Sequence, residues 1–336
     1  TADLTVTLAV PKPGLFLGEG LARRGRLRCV DLGLPPALLA NKAGPFGAFM
    51  AEDARLLLGR LPSFTHKSSQ GRVQVIGGCR RYPGAPVLAA MGALRFGAGL
   101  VGVAYPAAMA PVLRMPTLAL LQNPIDDGGT GHHQHGAAAE LLTLAATQDA
   151  LVVGPGLGRD ASTLALVHQL LREVSCPIIL DADGLQVFRD FPAALPRSGT
   201  SILTPHGGEM QRLLEALGLP ELTTATRQVQ ASTLALRLQA IIVAKGPGTV
   251  VAAPDGRLSC NGSGSPALAT GGSGDVLAGL IAGALCQIPD SFTATCLAVF
   301  LHGHAAEMAP HGMRHLIADE LPTLLGPALA NLSHFA

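Results

Sequence analysis

No tryptophan occurs among the 336 residues, and only two tyrosines do. A chain so poor in large aromatics offers no stacking platform for single-stranded nucleic acid. Charge is scarce as well: 14% of residues are Asp, Glu, Lys or Arg, and the formal net charge is +1. No nucleic-acid partner and no membrane-surface partner is expected from such a balance. No run of about 18 apolar residues escapes interruption by Gly, Pro or a polar side chain, so no membrane span is expected. The cysteines (Cys29, Cys79, Cys176, Cys260, Cys286 and Cys296) are scattered, without a C-x-x-C pair. That usage reads as reduced, mostly buried thiols and a cytoplasmic location. No signal peptide is legible. The chain opens at Thr1, without Met and already in a strand pattern, and reads as cut from something longer.

What is abundant points the other way. Hydrophobic residues make up 48% of the chain and glycine supplies 41 positions. The length suits one large or two ordinary domains with a substantial core. Residues 4–10 alternate as a half-buried strand, and 28–34 form a second short strand stopped by Pro35-Pro36. With no helix expected between them, these two cannot make a βαβ unit, and 1–40 reads as the tail of a different domain. A linker at 41–49 and a helix over 50–62 follow. The strand at 73–76, the helix at 87–96 and the strand at 100–104 then make a βαβ unit, which implies a parallel sheet. Residues 122–136 read as a solvated loop. Its histidines, His132, His133 and His135, fit no ligand spacing, so no metal site is assigned. Further strands are expected near 150–153, 177–180, 201–204 and 240–244, with a hairpin at 249–260. Helices are expected near 137–147, 161–174, 209–217, 225–238, 275–286, 292–308 and 313–330.

Strand after strand ends in glycine or a polar residue: Gly77-Gly78, Gly154-Pro155-Gly156, Asp181 and Asp183, His206 and Glu209, Lys245. Open parallel sheets bind ligands at the carboxyl ends of their strands, so these residues belong on one rim. Each has a plainer reading as a helix cap, a turn or a solvated side chain. The stretch that organises the rest is Gly271-Gly272-Ser273-Gly274-Asp275, which runs straight into an apolar helical pattern. Its backbone N–H groups and the positive end of the helix form an anion hole. Asp275, the lone acid of that stretch, is placed for proton transfer at a hydroxyl meeting a phosphate.

Gly271-Gly272-Ser273-Gly274-Asp275 resembles the G-x-G-D signature of the ribokinase-like superfamily. More narrowly, five segments are similar, in order, to the ADP/ATP-dependent NAD(P)H-hydrate dehydratases. They are Val153-Gly154-Pro155-Gly156-Leu157-Gly158, Asp181-Ala182-Asp183-Gly184-Leu185, Leu203-Thr204-Pro205-His206 with Gly208-Glu209, Ala244-Lys245-Gly246 with Thr249, and Pro266 with Ala269-Thr270 leading into the glycine loop. Two positions depart from the pattern: Gly207 follows the histidine where the family usually has Pro, and Ser265 stands where it commonly has Asn. Residues 1–36 resemble the closing segment of NAD(P)H-hydrate epimerase domains, through Pro11-Lys12-Pro13-Gly14 and Asp31, Gly33 and Pro35.

The resemblance implies a three-layer α/β/α ribokinase-like fold with a central mostly parallel sheet, occupying 50–336 behind an epimerase remnant. It implies ADP- or ATP-dependent dehydration of the S epimer of hydrated NADH or NADPH, ADP being favoured, with no epimerase activity from this stretch. Asp275 is then the catalytic residue, and Ala85, Gly156, His206 and Asp275 contact the hydrated dinucleotide. Lys245, Gly246, Pro247, Gly248 and Thr249, with Gly271, Gly272, Ser273 and Gly274, hold the nucleotide. A Mg²⁺ arrives with that nucleotide, and a homo-oligomer is expected. The alternatives are a ribokinase-like kinase for a vitamin-precursor alcohol, which shares the anion hole, and a degenerate binding protein, which would not need Asp275.

Overall fold

A computed structural model of the chain describes residues 1–35, 37–38, 46–59, 63–309 and 316–332. Parts of four expected segments lie outside the described residues: 36, 39 and 40 of the N-terminal tail, 41–45 of the linker, 60–62 of the helix at 50–62, and 313–315 of the last helix.

Twelve strands are formed by the described residues: β1 (Leu4–Leu8), β2 (Arg26–Val30), β3 (Phe46–Phe49), β4 (Arg72–Ile76), β5 (Leu100–Pro106), β6 (Leu121–Ile125), β7 (Ala150–Val153), β8 (Ile178–Leu180), β9 (Ser201–Leu203), β10 (Ile241–Ala244), β11 (Val250–Ala252) and β12 (Leu258–Asn261). β1 and β2 form a small sheet of their own, and the other ten lie in the order β3-β12-β11-β10-β9-β8-β7-β4-β5-β6. Every neighbouring pair of the large sheet is parallel except the two that β11 makes, with β10 and with β12.

Side-chain alternation explains why this sheet needs helices on both faces. Val73, Val75, Val152, Ile179, Ile202 and Val243 enter one hydrophobic cluster. Their sequence neighbours Ile76, Leu151, Val153, Ile178, Leu180 and Ile242 enter another. Strands apolar on both faces, with period two, must be covered twice. Helices Ala85–Phe96, Ser273–Leu285, Ser291–Glu307 and Leu321–Leu332 cover the first face. Helices Ala138–Ala145, Ala161–Glu173, Gly207–Ala216 and Arg227–Leu238 cover the second. The result is a three-layer α/β/α fold. Among the described residues no helix is long and apolar enough to cross a membrane.

One seam matters for the site. Helix Ser273–Leu285 crosses helix Ala85–Phe96 through glycines: a methyl on Gly279 would sit 1.7 Å from the Ala89 carbonyl oxygen, and one on Gly92 would sit 2.2 Å from that of Val276. Only hydrogen side chains permit this approach, and it fixes where the N-terminus of helix Ser273–Leu285 lies.

Three local expectations are corrected. A six-residue helix, Gly18–Arg23, does connect β1 to β2, and the two strands pair in parallel, Leu4 opposite Arg26 through Leu8 opposite Val30. Residues 46–49 of the expected linker are β3, which joins the sheet edge beside β12. The start of the expected loop at 122–136 belongs to β6, the opposite edge. Pro124 lies within β6, a position that only an edge strand tolerates, since proline cannot donate to a ladder.

Candidate active site

Because β7, β8, β9 and β10 run parallel, the residues that follow them emerge at one edge of the sheet. Asp181 follows β8, Thr204 and His206 follow β9, and Lys245 follows β10. Helix Ser273–Leu285 brings its N-terminus to the same edge, with Asp275 in its first turn.

The centre of the site is Lys245. Its Nζ donates to Asp181 Oδ1 at 2.7 Å and lies 3.9 Å from Glu209 Oε2. It also stands 3.1 Å from where a Cβ would be on Gly274, so the ammonium rests against the glycine loop. Asp181 is 1% exposed. Its side chain caps no helix, contrary to its plainer reading, and accepts a second hydrogen bond from Thr204 Oγ1 at 2.6 Å. Burial works against the Lys245 charge, but Asp181 and Glu209 more than offset it, and the lysine pKa lies above its ordinary value.

Asp275 is the lone acid of its own stretch but not of the site. Its carboxyl is pushed up to about 8, by burial first and then by the negative charge of Asp181; Lys245 opposes the shift, and Glu209 and Asp183 add to it. Burial also raises Glu209, against the pull of Lys245. Several carboxylates share one ammonium here, and they cannot all be ionised at ordinary cost.

His206 joins this group through Glu209. It caps helix Gly207–Ala216 by accepting from the Gly208 N–H at Nδ1, 3.1 Å. Glu209 Oε2 accepts the His206 backbone N–H at 2.9 Å, and Glu209 Oε1 lies 3.3 Å from His206 Nε2. The ring itself is largely open to solvent. Gly207, which has no neighbour against its Cβ position, leaves this cap intact.

Ala85 and Gly156 form a second group. The Cβ position of Gly156 is 3.1 Å from Ala85 Cβ and 2.6 Å from the Tyr82 carbonyl oxygen. The two groups meet through helix Ala85–Phe96, whose Leu88 Cδ1 is 2.6 Å from the Cβ position of Gly272. Gly271 is exposed, with nothing within 4 Å of its Cβ position. Asp183 stands beside this rim, accepting the Gly158 N–H at 3.1 Å and pairing with Arg159. Gly246 to Thr249 form a turn closed by Thr249 Oγ1, which donates to the Gly246 carbonyl at 2.9 Å.

Two residues that sequence reasoning missed hold these loops. His302, nearly buried on helix Ser291–Glu307, places Nε2 2.8 Å from the Ser273 carbonyl oxygen. Burial pushes its pKa down to about 4, so the ring is neutral and Nε2–H is the donor. Arg227, at the start of helix Arg227–Leu238, donates through Nη1 to the carbonyls of Pro247 at 2.5 Å and Gly248 at 3.1 Å. His302 is 29 positions from Ser273, and Arg227 is 20 and 21 positions from Pro247 and Gly248; only the fold brings them together, and no local signal marks them. Of the loop histidines, His132 pairs with Asp160 at 3.5 Å. His133 is buried, with Nε2 3.1 Å from the Gly77 carbonyl oxygen.

The NAD(P)H-hydrate dehydratase family profile matches residues 73–325. A bifunctional NAD(P)H-hydrate repair enzyme of Moorella thermoacetica is 38% identical over 339 residues, covering 98% of this chain and 63% of that protein. The chain thus spans about three fifths of the length of such curated relatives. An ADP-dependent (S)-NAD(P)H-hydrate dehydratase of Xanthomonas campestris is 35% identical over 258 residues, 76% of this chain and 87% of its own. The crystal structure of an ADP/ATP-dependent NAD(P)H-hydrate dehydratase from Bacillus subtilis, co-crystallised with ATP and Mg²⁺, superposes with a TM-score of 0.72. That match is at 32% identity and covers 85% of this chain and 98% of the other. A profile that matches three quarters of the chain, and relatives aligned along nearly all of it, lead to one conclusion: the chain belongs to the NAD(P)H-hydrate dehydratase family.

Proposed function

We propose that the chain restores NADH or NADPH from the S epimer of its hydrate, by nucleotide-dependent dehydration. The observation that carries this reading is Asp275, a carboxyl pushed up to about 8 and set at the N-terminus of a helix in a glycine loop. An acid with a pKa near working pH exchanges protons far more readily than an ordinary aspartate. The helix end and its N–H groups stabilise negative charge developing next to it.

The hydrate carries a hydroxyl on its ring, and hydroxide leaves poorly. The ionised form of Asp275, a minority species below about pH 8, takes the hydroxyl proton as that oxygen attacks the terminal phosphorus of ADP or ATP. The bond from phosphorus to the bridging oxygen breaks, and the shortened nucleotide departs. Phosphate then leaves the ring with the carbon–oxygen electron pair, an adjacent ring proton is lost, and the dihydropyridine returns. The N–H groups of Gly271 to Gly274 stabilise the transferring phosphoryl group, and Lys245 to Thr249 hold the remaining phosphates. Lys245 supplies its charge from a position fixed by Asp181. Ala85, Gly156 and His206 contact the hydrated dinucleotide.

Asp181 and Glu209 are turned onto Lys245, and no group of three or more acidic, histidine or cysteine side chains among the described residues is placed to hold a metal. A Mg²⁺ carried in on the nucleotide phosphates would neutralise their charge, with Lys245 as the chain's own cation at the same rim. The test is to incubate the protein with hydrated NADH and either ADP or ATP and to follow dihydronicotinamide absorbance. Nucleotide-dependent recovery is expected. A stable phosphorylated alcohol as product, or no turnover with either nucleotide, overturns the reading.

A further inference from the structure

The loop assigned to the nucleotide is backed by a part of the chain outside the dehydratase fold. The N-terminal segment folds back so that the carbonyl oxygen of Phe16 lies 2.0 Å from where a Cβ would be on Gly248. Leu17 Cδ2 lies 3.5 Å from the same point. Gly248 has φ +66°, so the turn is left-handed just where the N-terminal segment touches it. Phe16 is 0% exposed, which anchors the contact. The Arg24 guanidinium lies 4.7 Å from the Phe16 ring centre and donates to the Leu15 carbonyl at 3.0 Å. Leu17 packs against the core on the sheet face that carries helix Arg227–Leu238. Arg227 holds the carbonyls of Pro247 and Gly248 in the same loop.

We propose that Phe16 and Leu17 are positioning residues for the nucleotide loop, clamping Gly246 to Thr249 against Arg227, so that nucleotide affinity depends on the N-terminal segment. The two glycines of this loop, Gly246 and Gly248, can take many conformations, and that freedom must be given up when phosphates bind. A loop already held by Arg227 and by the Phe16 contact at Gly248 has given up much of it beforehand. The N-terminal segment therefore tunes nucleotide binding without touching the reacting atoms.

The inference rests on the nucleotide reading of Lys245 to Thr249, so the full chain is first titrated with ADP and with ATP. Phe16→Ala and Leu17→Ala are then compared with wild type for nucleotide Kd, for KM toward hydrated NADH, and for kcat at saturating nucleotide. Phe16→Ala keeps the Phe16 carbonyl but empties the buried ring site that anchors it, and is expected to weaken nucleotide binding about tenfold, with kcat and the hydrate KM unchanged. Phe16→Leu, which refills the apolar site, restores most of the affinity. If Phe16→Ala fails to fold, Leu17→Ala carries the comparison, with a smaller shift in the same direction. Nucleotide Kd unchanged in the folded variants overturns the inference and leaves the nucleotide reading standing. Equal weakening toward nucleotide and hydrate also overturns it, since that is general loosening. No binding of either nucleotide by wild type removes both.

Discussion

Two ionic clusters in this protein are built from the same materials and behave in opposite ways. At the rim, Lys245 faces Asp181 and Glu209, with Asp275 nearby. On the outer surface, Arg257 pairs with Asp290 and with Asp255, each at 2.8 Å. Asp290 also caps helix Ser291–Glu307 by accepting the Thr293 N–H at 2.8 Å. There, hydrogen bonds from Arg257 hold the Asp290 carboxyl well below the usual carboxylate range. At the rim, burial and an excess of carboxylates push Asp275 far above it. A cation beside an acid does not settle the acid's charge. The number of acids sharing it, and the water they have lost, decide the direction.

The comparison is broken most severely at Asp275. Asp275→Asn is expected to lower kcat by about 10²–10⁴-fold while nucleotide binding persists, as for loss of a general acid/base. The same variant separates the clusters by pH. Asp275 holds its proton in the folded state at pH values where the unfolded chain has lost it. Folding stability therefore falls as pH rises from the ordinary aspartate value toward about 8, and levels off above it. In Asp275→Asn that slope should be shallower, as read from Tm across the range. An unchanged slope removes the proton from Asp275. Asp290 gives the opposite sign: its contribution is complete above the unfolded aspartate pKa and is lost as pH falls through the lower folded value.

Next in size is Lys245→Met. It leaves Asp181 buried and unpaired, at a cost of about 3–5 kcal/mol in urea unfolding, and it removes the charge that restrains the Asp275 pKa. Pairing it with Asp181→Asn should recover part of the stability but not the activity.

A smaller loss is expected from His302→Ala, which removes the side-chain donor to the Ser273 carbonyl and costs about 1 kcal/mol. His302→Gln, which offers an N–H, should recover kcat more fully than His302→Phe, which only fills the space. Equal recovery by both would reduce His302 to packing. The smallest effect belongs to the surface cluster. Asp290→Ala is expected to cost about 1 kcal/mol, mostly as a lost helix cap, with kcat unaltered.

Much of the fold was readable residue by residue, because strands apolar on both faces and helices with apolar stripes announce themselves through their periods. Helix Ala161–Glu173 and the strands flanking it fall within a residue or so of where the pattern puts them. The edges were not readable. β3 is four residues long and contains Gly47, and β6 contains Pro124; each is a strand only because a neighbour completes its ladder. The helix between β1 and β2 is a single short turn region without a buried residue, so no apolar stripe marks it.

The sequence by itself determined the chemistry available at the rim: a glycine loop running into a helix, an aspartate in its first turn, and strand ends carrying Asp181, His206, Glu209 and Lys245. These are local properties, written in residue type and spacing. How those groups act on one another follows from the packing of distant parts of the chain. Lys245 reaches Asp181 across 64 positions, His302 reaches Ser273 across 29, and Phe16 meets Gly248 from the far end of the chain. Burial and charge interaction depend on distance in space, and the chain folds to set that distance; a carboxyl that reads as an ordinary aspartate in the sequence becomes, once buried and set near Asp181, one that keeps its proton to about pH 8.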